Sequence, residues 1–203
     1  MVENLNEFSF RLRDILLSLF GLISLSPILL VIILLLFFTQ RKVFFRQQRP
    51  GKQEKLFLLI KFSTLRDIVP GEDEYSNQQT RLTHVGKYLR KYSLDELPQL
   101  INVLKGDMSL IGPRPLLKDY LPLYTSEERR RHNVLPGITG WAQIHGRNQL
   151  SFKQKFAYDL WYVSHKSHLL DSKIIWKTLF RIFQTEGVYV DEKTTAEKYN
   201  GAN

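Results

Sequence analysis

Residues Leu89 to Pro115 read LRKYSLDELPQLINVLKGDMSLIGPRP, and the interpretation of the whole chain turns on them. Two carboxylates, Asp95 and Glu96, stand side by side behind Ser93; Arg90 precedes them and Arg114 follows between two prolines. Read for structure, Ser93-Leu94-Asp95-Glu96 fits a capping box, in which the Ser93 hydroxyl bonds the Glu96 amide and the Glu96 carboxylate returns to the Ser93 amide. Leu94, Leu97, Ile101 and Leu104 then continue an apolar helical face. The helix dipole alone favours acidic residues in a first turn. Pro98 conflicts with this reading. As the fifth helical residue it lies past the turn where a missing N–H is free, so a carbonyl near Leu94 is expected to lose its partner. Local conflicts of this kind concentrate at functional sites, and adjacent acids flanked by arginines suggest phosphate chemistry. The prolines beside Arg114 restrict its backbone, and its planar fork suits a phosphate, although a surface arginine in a proline-rich loop fits the same letters.

Upstream, Arg81 to Tyr92 is expected to be a helix with Val85 and Leu89 on its buried side, delivering Arg90 next to the carboxylates. Val43 to Phe62 reads as a β-hairpin, with VFFRQ and KLFLLIKF as strands and Arg49-Pro50-Gly51-Lys52 as the turn. Lys61, taken alone, is a solvated strand residue. Asp67 to Gln79 reads as an exposed loop. Downstream, Gly106 suits a C-cap. Leu116 to His132 is expected to be helical, ending in Arg129-Arg130-Arg131-His132, which reads as a solvated basic face or as a contact for anionic head groups. The glycines of Pro136 to Gly140 allow close backbone approach to a ligand. Ser151 to Gln184 reads as two amphipathic helices, with Leu169, Ile174, Ile175 and Leu179 opposing Asp171, Lys173 and Lys177; such helices face either a core or a membrane interface. The five histidines show no zinc-binding spacing.

From Ile15 to Gln40 there is no charged residue, which exceeds the roughly 20 apolar residues that a bilayer crossing needs. Ser24, Ser26 and Pro27 fall in the middle, so the segment is either a kinked span or two half-helices at an angle. Arg11 and Arg13 before it, and Arg41, Lys42, Arg46 and Arg49 after it, give both ends a reason to stay on the cytoplasmic side.

The 203-residue chain is long enough for one compact domain, and its formal charge of +9 calls for acidic partners. Without cysteine it has no disulfide, thiolate nucleophile or Cys-type zinc site. A membrane-tethered, non-enzymatic binder of anionic lipid or nucleic acid would account for the charge but leaves the acidic pair unexplained.

SLDELPQLINVLKGDMSLIGPRP, with Lys61-Phe62 before it and PGITGWAQIHGRN at Pro136 to Asn148 after it, closely resembles the bacterial monotopic phosphoglycosyl transferases, from about Arg11 to the end of the chain. The resemblance implies transfer of a sugar 1-phosphate from a UDP-sugar to a polyprenol phosphate such as undecaprenyl phosphate, with Mg²⁺. It implies catalytic and metal-binding roles for Asp95 and Glu96, and substrate contacts from Lys61, Arg90, Arg114 and Arg147. It also favours a re-entrant hairpin broken at Ser26 and Pro27, on the cytoplasmic face of the bacterial inner membrane. The expected fold is α+β and mainly helical, with this re-entrant segment (1–40), a small β-hairpin and amphipathic interfacial helices, residues 41–203 forming a catalytic domain in one unit with the membrane segment. The expected partners are the UDP-sugar, the polyprenol phosphate and the lipid bilayer, with no nucleic acid. Leu65 and His145 depart from the common pattern, and the second bears on substrate preference.

Overall fold

A computed structural model of the chain describes residues 2–68, 80–146, 149–183 and 199–201. Two helices come first, α1 (Val2–Ser24) and α2 (Ser26–Gln40), bent by 63° where they meet. Hydrogen bonding carries through the bend: the Leu25 amide donates to the Gly21 carbonyl at 2.9 Å, and the Ser26 hydroxyl to that of Ile23 at 2.7 Å. Pro27 falls in the first turn of α2, where its missing N–H costs no bond. The break expected at Ser26 and Pro27 is therefore a change of helix. Among the described residues no single helix is long and apolar enough to cross a membrane.

The hairpin pairs β1 (Phe44–Pro50) with β2 (Leu56–Phe62), antiparallel, Phe45 opposite Lys61. Its turn lies later than Arg49–Lys52. Pro50 still pairs with Leu56, and Gly51 to Lys55 reverse the chain, with Gln53 and Glu54 in the left-handed region. Among the described residues no third strand lies on β2. Instead the buried Asn102 side chain accepts from the Ile60 amide at 3.0 Å and donates to the Leu58 carbonyl at 2.8 Å.

Helix α3 (His84–Lys91) is shorter than the expected Arg81–Tyr92, because Leu82 forms an antiparallel bridge with Leu65 and Thr83 caps the helix. Leu89 is buried against Ile32 and Leu36 of α2 and Phe62 of β2, with Val85 packed alongside. The capping box at Ser93 does not form. Ser93 is left-handed (φ 55°) with no side-chain cap, Leu94–Glu96 make a single 3₁₀ turn, and α4 (Gln99–Lys105) starts afresh with Pro98 as its N-cap. No carbonyl is orphaned at Leu94, which accepts from the Leu97 amide at 3.3 Å. This new start turns α4, so that Leu100, Asn102 and Val103 are buried and Ile101 faces outward.

Strands β3 (Ser109–Ile111) and β4 (Gly137–Thr139) run parallel. Glycine makes the pairing possible, since a Cβ on Gly137 would lie 2.0 Å from the Gly112 nitrogen. The close approach allowed by the Pro136–Gly140 glycines is thus to the neighbouring backbone. Leu116 to His132 is not one helix: a 3₁₀ turn (Lys118–Leu123) is followed by the short α5 (Ser126–Arg129), started by a capping box at Thr125, and a second 3₁₀ turn (Arg130–Asn133).

The basic run is a solvated face only in part, for Arg130 stays exposed and pairs with Glu127 at 2.6 Å. Arg131 and His132 are buried, Arg129 pairs with Glu54 at 2.6 Å, and burial together with Arg131 pushes His132 down to about 4, leaving it uncharged at neutral pH. Helices α6 (Phe152–His165) and α7 (His168–Phe183) close the fold on β3 and β4 through Tyr162 and Ile174. Asp171, expected on the polar face of α7, is fully buried and pairs with Arg13 at 2.7 Å. Leu169, Trp176, Leu179 and Phe180 of α7 face outward. From the C-terminal stretch Tyr199 returns to pack on Tyr124 and Phe156.

Candidate active site at the Asp95–Glu96 pair

Four segments bring charged groups together. Lys61 stands near the end of β2, Arg90 in the last turn of α3, Asp95 and Glu96 in the 3₁₀ turn, and Arg114 in the turn after β3. Their placement depends on close packing at Gly86, where a Cβ would lie 2.2 Å from the Thr64 carbonyl oxygen. Glycine lets α3 lie against the chain leaving β2, and Arg90 Nε then donates to Thr64 Oγ1 at 3.0 Å. The left-handed Ser93, a strained conformation for a non-glycine residue, redirects the chain so that both acids follow directly.

The two acids have different surroundings. Glu96 Oε1 accepts from Lys61 Nζ at 2.8 Å and from Arg114 Nη2, and its Oε2 accepts from Arg114 Nη1 at 3.3 Å. Arg114 thus meets Glu96 as a two-pronged fork, while nearly half of its side-chain surface, 45 %, stays open. Burial alone would push Glu96 up, but Arg114 and Lys61 outweigh it and hold the carboxyl well below its ordinary range. Asp95 is 9 % exposed, and among the described residues no hydrogen bond or ion pair engages its side chain. Burial pushes it above its ordinary value; Lys61 opposes that, the Glu96 charge adds to it, and Arg90 and Arg114 oppose it. Burial lowers Lys61 in turn, against the pull of Glu96.

The arrangement is one neutralised carboxylate beside one uncommitted carboxylate, under the influence of Lys61, Arg90 and Arg114. It can receive a phosphate, because Arg114 and Lys61 can turn their remaining donors to an incoming anion. Among the described residues no three His, Asp or Glu side chains form a ready-made metal cage. A pair of carboxylates nonetheless suits Mg²⁺, which keeps several waters and shares substrate phosphate oxygens rather than needing a full protein cage.

Of the residues singled out in the sequence, Lys61, Glu96 and Arg114 meet directly, while Asp95 and Arg90 stand beside them and act through charge. Arg147 lies outside the described residues. Sequence reasoning missed Thr64, which anchors Arg90, and Asn102, which fixes β2 against α4. It also missed Arg131 and Asp159, a pair 2.6 Å apart behind Arg114. The signal for the last two was an acid one turn before Tyr162 in a helix of apolar periodicity, and an arginine next to a run that has to turn back into the core.

The sequence pattern of the bacterial sugar transferases matches residues 5–185. An uncharacterized sugar transferase of Bacillus subtilis, EpsL, is 52 % identical over 160 residues, covering 79 % of either chain. The exopolysaccharide production protein ExoY of Sinorhizobium fredii is 36 % identical over 93 % of this chain and 91 % of its own. The UDP-glucose:undecaprenyl-phosphate glucose-1-phosphate transferase of Klebsiella pneumoniae is 40 % identical over 93 % of this chain, which spans only 43 % of that longer protein.

Proposed function

The chain belongs to the bacterial sugar transferase family, and on that footing we propose that it moves a sugar 1-phosphate from a UDP-sugar to undecaprenyl phosphate or a similar polyprenol phosphate, releasing UMP, as an early step of polysaccharide assembly. Family membership displaces the alternative of a non-enzymatic binder. The observation that carries the chemistry is the contrast within the acid pair: Glu96 is neutralised by Lys61 and Arg114, and Asp95 is left uncommitted beside it.

In this reading an Asp95 carboxylate oxygen attacks the β-phosphorus of the donor. The bond from that phosphorus to the bridging oxygen breaks, and UMP leaves with the electron pair. A phosphate oxygen of the polyprenol phosphate then attacks the same phosphorus, the bond to Asp95 breaks, and the carboxylate is regenerated. Lys61, Arg90 and Arg114 offset the repulsion between an anionic nucleophile and an anionic substrate, which is a large part of the barrier. Mg²⁺, held by Asp95, Glu96 and donor phosphate oxygens, would neutralise further charge on the transferring group. The test is UMP release from a panel of UDP-sugars with and without Mg²⁺. One sugar should support metal-dependent release coupled to lipid product; none doing so would remove the proposal.

We also infer that α1 and α2 form a re-entrant hairpin entering the bilayer from the cytoplasmic face. Both arms are tied to one folded unit. Arg11 caps α4 at the Leu104 carbonyl (2.7 Å), Arg13 pairs with Asp171, and at the other end Gln40 donates to the Ser63 carbonyl at 2.7 Å. Along the two arms Phe20, Ile23, Val31 and Phe38 are exposed, a surface that lipid would cover and water would not favour. Arg11 and Arg13 thus serve as structural anchors as well as basic flanks. Single cysteines at Asn6 and Gln53, in a chain that has none, should label alike in sealed inverted vesicles. Labelling of one from each side of the membrane would establish a span.

A further inference from the structure

Arg114 makes its contacts from a turn with no regular secondary structure, so something must hold that turn. On one flank the Gly137 amide donates to the Pro113 carbonyl at 3.0 Å. On the other, Arg131 Nη2 donates to the carbonyl of Arg114 itself at 2.8 Å. Arg131 is in turn fixed: Nε and Nη2 donate to Asp159 Oδ2 at 3.1 and 2.6 Å, and the guanidinium lies 5.4 Å from the centre of the Phe156 ring. Both residues are 3 % exposed. A buried ion pair is weak evidence for stability, and apolar residues of similar volume often replace one without loss. Its geometry here does something that apolar packing cannot, since Arg131 spends one donor on the main chain of the residue that pairs with Glu96.

We propose that Arg131, locked by Asp159, is a positioning residue that sets the Pro113-Arg114-Pro115 turn and through it aims the Arg114 guanidinium at Glu96 and the transferring phosphate. The inference rests on the phosphotransfer reading above, and one of its two measurements is independent of activity. Misplacement of a charge clamp by about an ångström is enough to slow chemistry by one to two orders of magnitude. Lysine at 131 keeps a positive charge opposite Asp159 but loses the planar fork that reaches both partners.

The experiment compares full-length wild type, Arg131→Lys, Arg114→Lys and the double variant in detergent or lipid nanodiscs, by UMP release and by hydrogen exchange of the segment 112–117. Arg131→Lys should lower kcat about tenfold and speed exchange in 112–117 while exchange in α1 and α7 stays unchanged. In the Arg114→Lys background the same change should cost less than about twofold, because what it positions is already lost. Multiplying losses, or unchanged exchange in 112–117, would overturn the proposal. If Arg131→Lys does not fold, the paired replacement Arg131→Met with Asp159→Leu keeps the volume, and it should show the same exchange and the same non-additivity. That pair folding with wild-type exchange and kcat would equally overturn it. A wild type that releases no UMP from any UDP-sugar counts against the function, while the exchange comparison still decides the positioning role.

Discussion

Asp95→Asn should reduce UMP release by on the order of 10⁴-fold while leaving the protein folded. An amide is nearly the shape of the carboxylate it replaces but cannot attack phosphorus. Since no side chain in the described residues is bonded to Asp95, no partner is orphaned. The variant should even be somewhat more stable. A carboxyl whose folded pKa is raised above 3.8 costs stability as pH rises through the window between the unfolded and folded values, and the cost is fully present above the folded value. Removing that charge at neutral pH should therefore raise the melting temperature, an exchange of stability for activity. By the same direction, wild-type turnover should fall on acidification through a pKa above 3.8, with Asp95 and not the strongly depressed Glu96 as the titrating group. Near-normal turnover of Asp95→Asn would pass the nucleophile's role to Glu96.

Arg131→Met should destabilise the fold by about 3–5 kcal/mol, because it leaves the Asp159 carboxylate buried without its cation. Asp159 is already pushed up by burial, with Arg131 opposing. Without Arg131 it rises further, so the deficit should be largest at neutral and alkaline pH and shrink as acid protonates the group. Adding Asp159→Leu should restore most of the loss. Thermal unfolding of the three proteins across pH measures this, and a single variant as stable as wild type would mean that water reaches Asp159 in the fold.

Chemical identity was legible in the sequence where residue type and neighbours were enough. The acid pair, Lys61 and the proline-flanked Arg114 are next to one another as expected, and the apolar segment breaks where Ser26 and Pro27 stand. What was not legible depended on long-range partners. Ser93 to Glu96 has the letters of a capping box, but Glu96 finds two cations from other elements and Ser93 turns left-handed instead. Arg131 and Asp171 looked like surface charges because helical periodicity counts polarity and cannot see a buried counter-ion 28 or 158 residues away. The glycines of Pro136–Gly140 suggested close approach to a ligand, yet Gly137 serves the parallel pairing, against Gly112, that carries Arg114 to the site.

The central claim is that Asp95 carries the sugar phosphate between donor and acceptor. Incubating the wild-type protein with its UDP-sugar in the absence of polyprenol phosphate, quenching in acid and measuring the mass of the tryptic peptide Tyr92 to Lys105 tests it most directly. A gain of one sugar phosphate on that peptide, missing from Asp95→Asn and discharged by added polyprenol phosphate, is the predicted result. Release of UMP only when the acceptor is present, with full yield of lipid product and no adduct on the peptide, would contradict it and establish direct displacement.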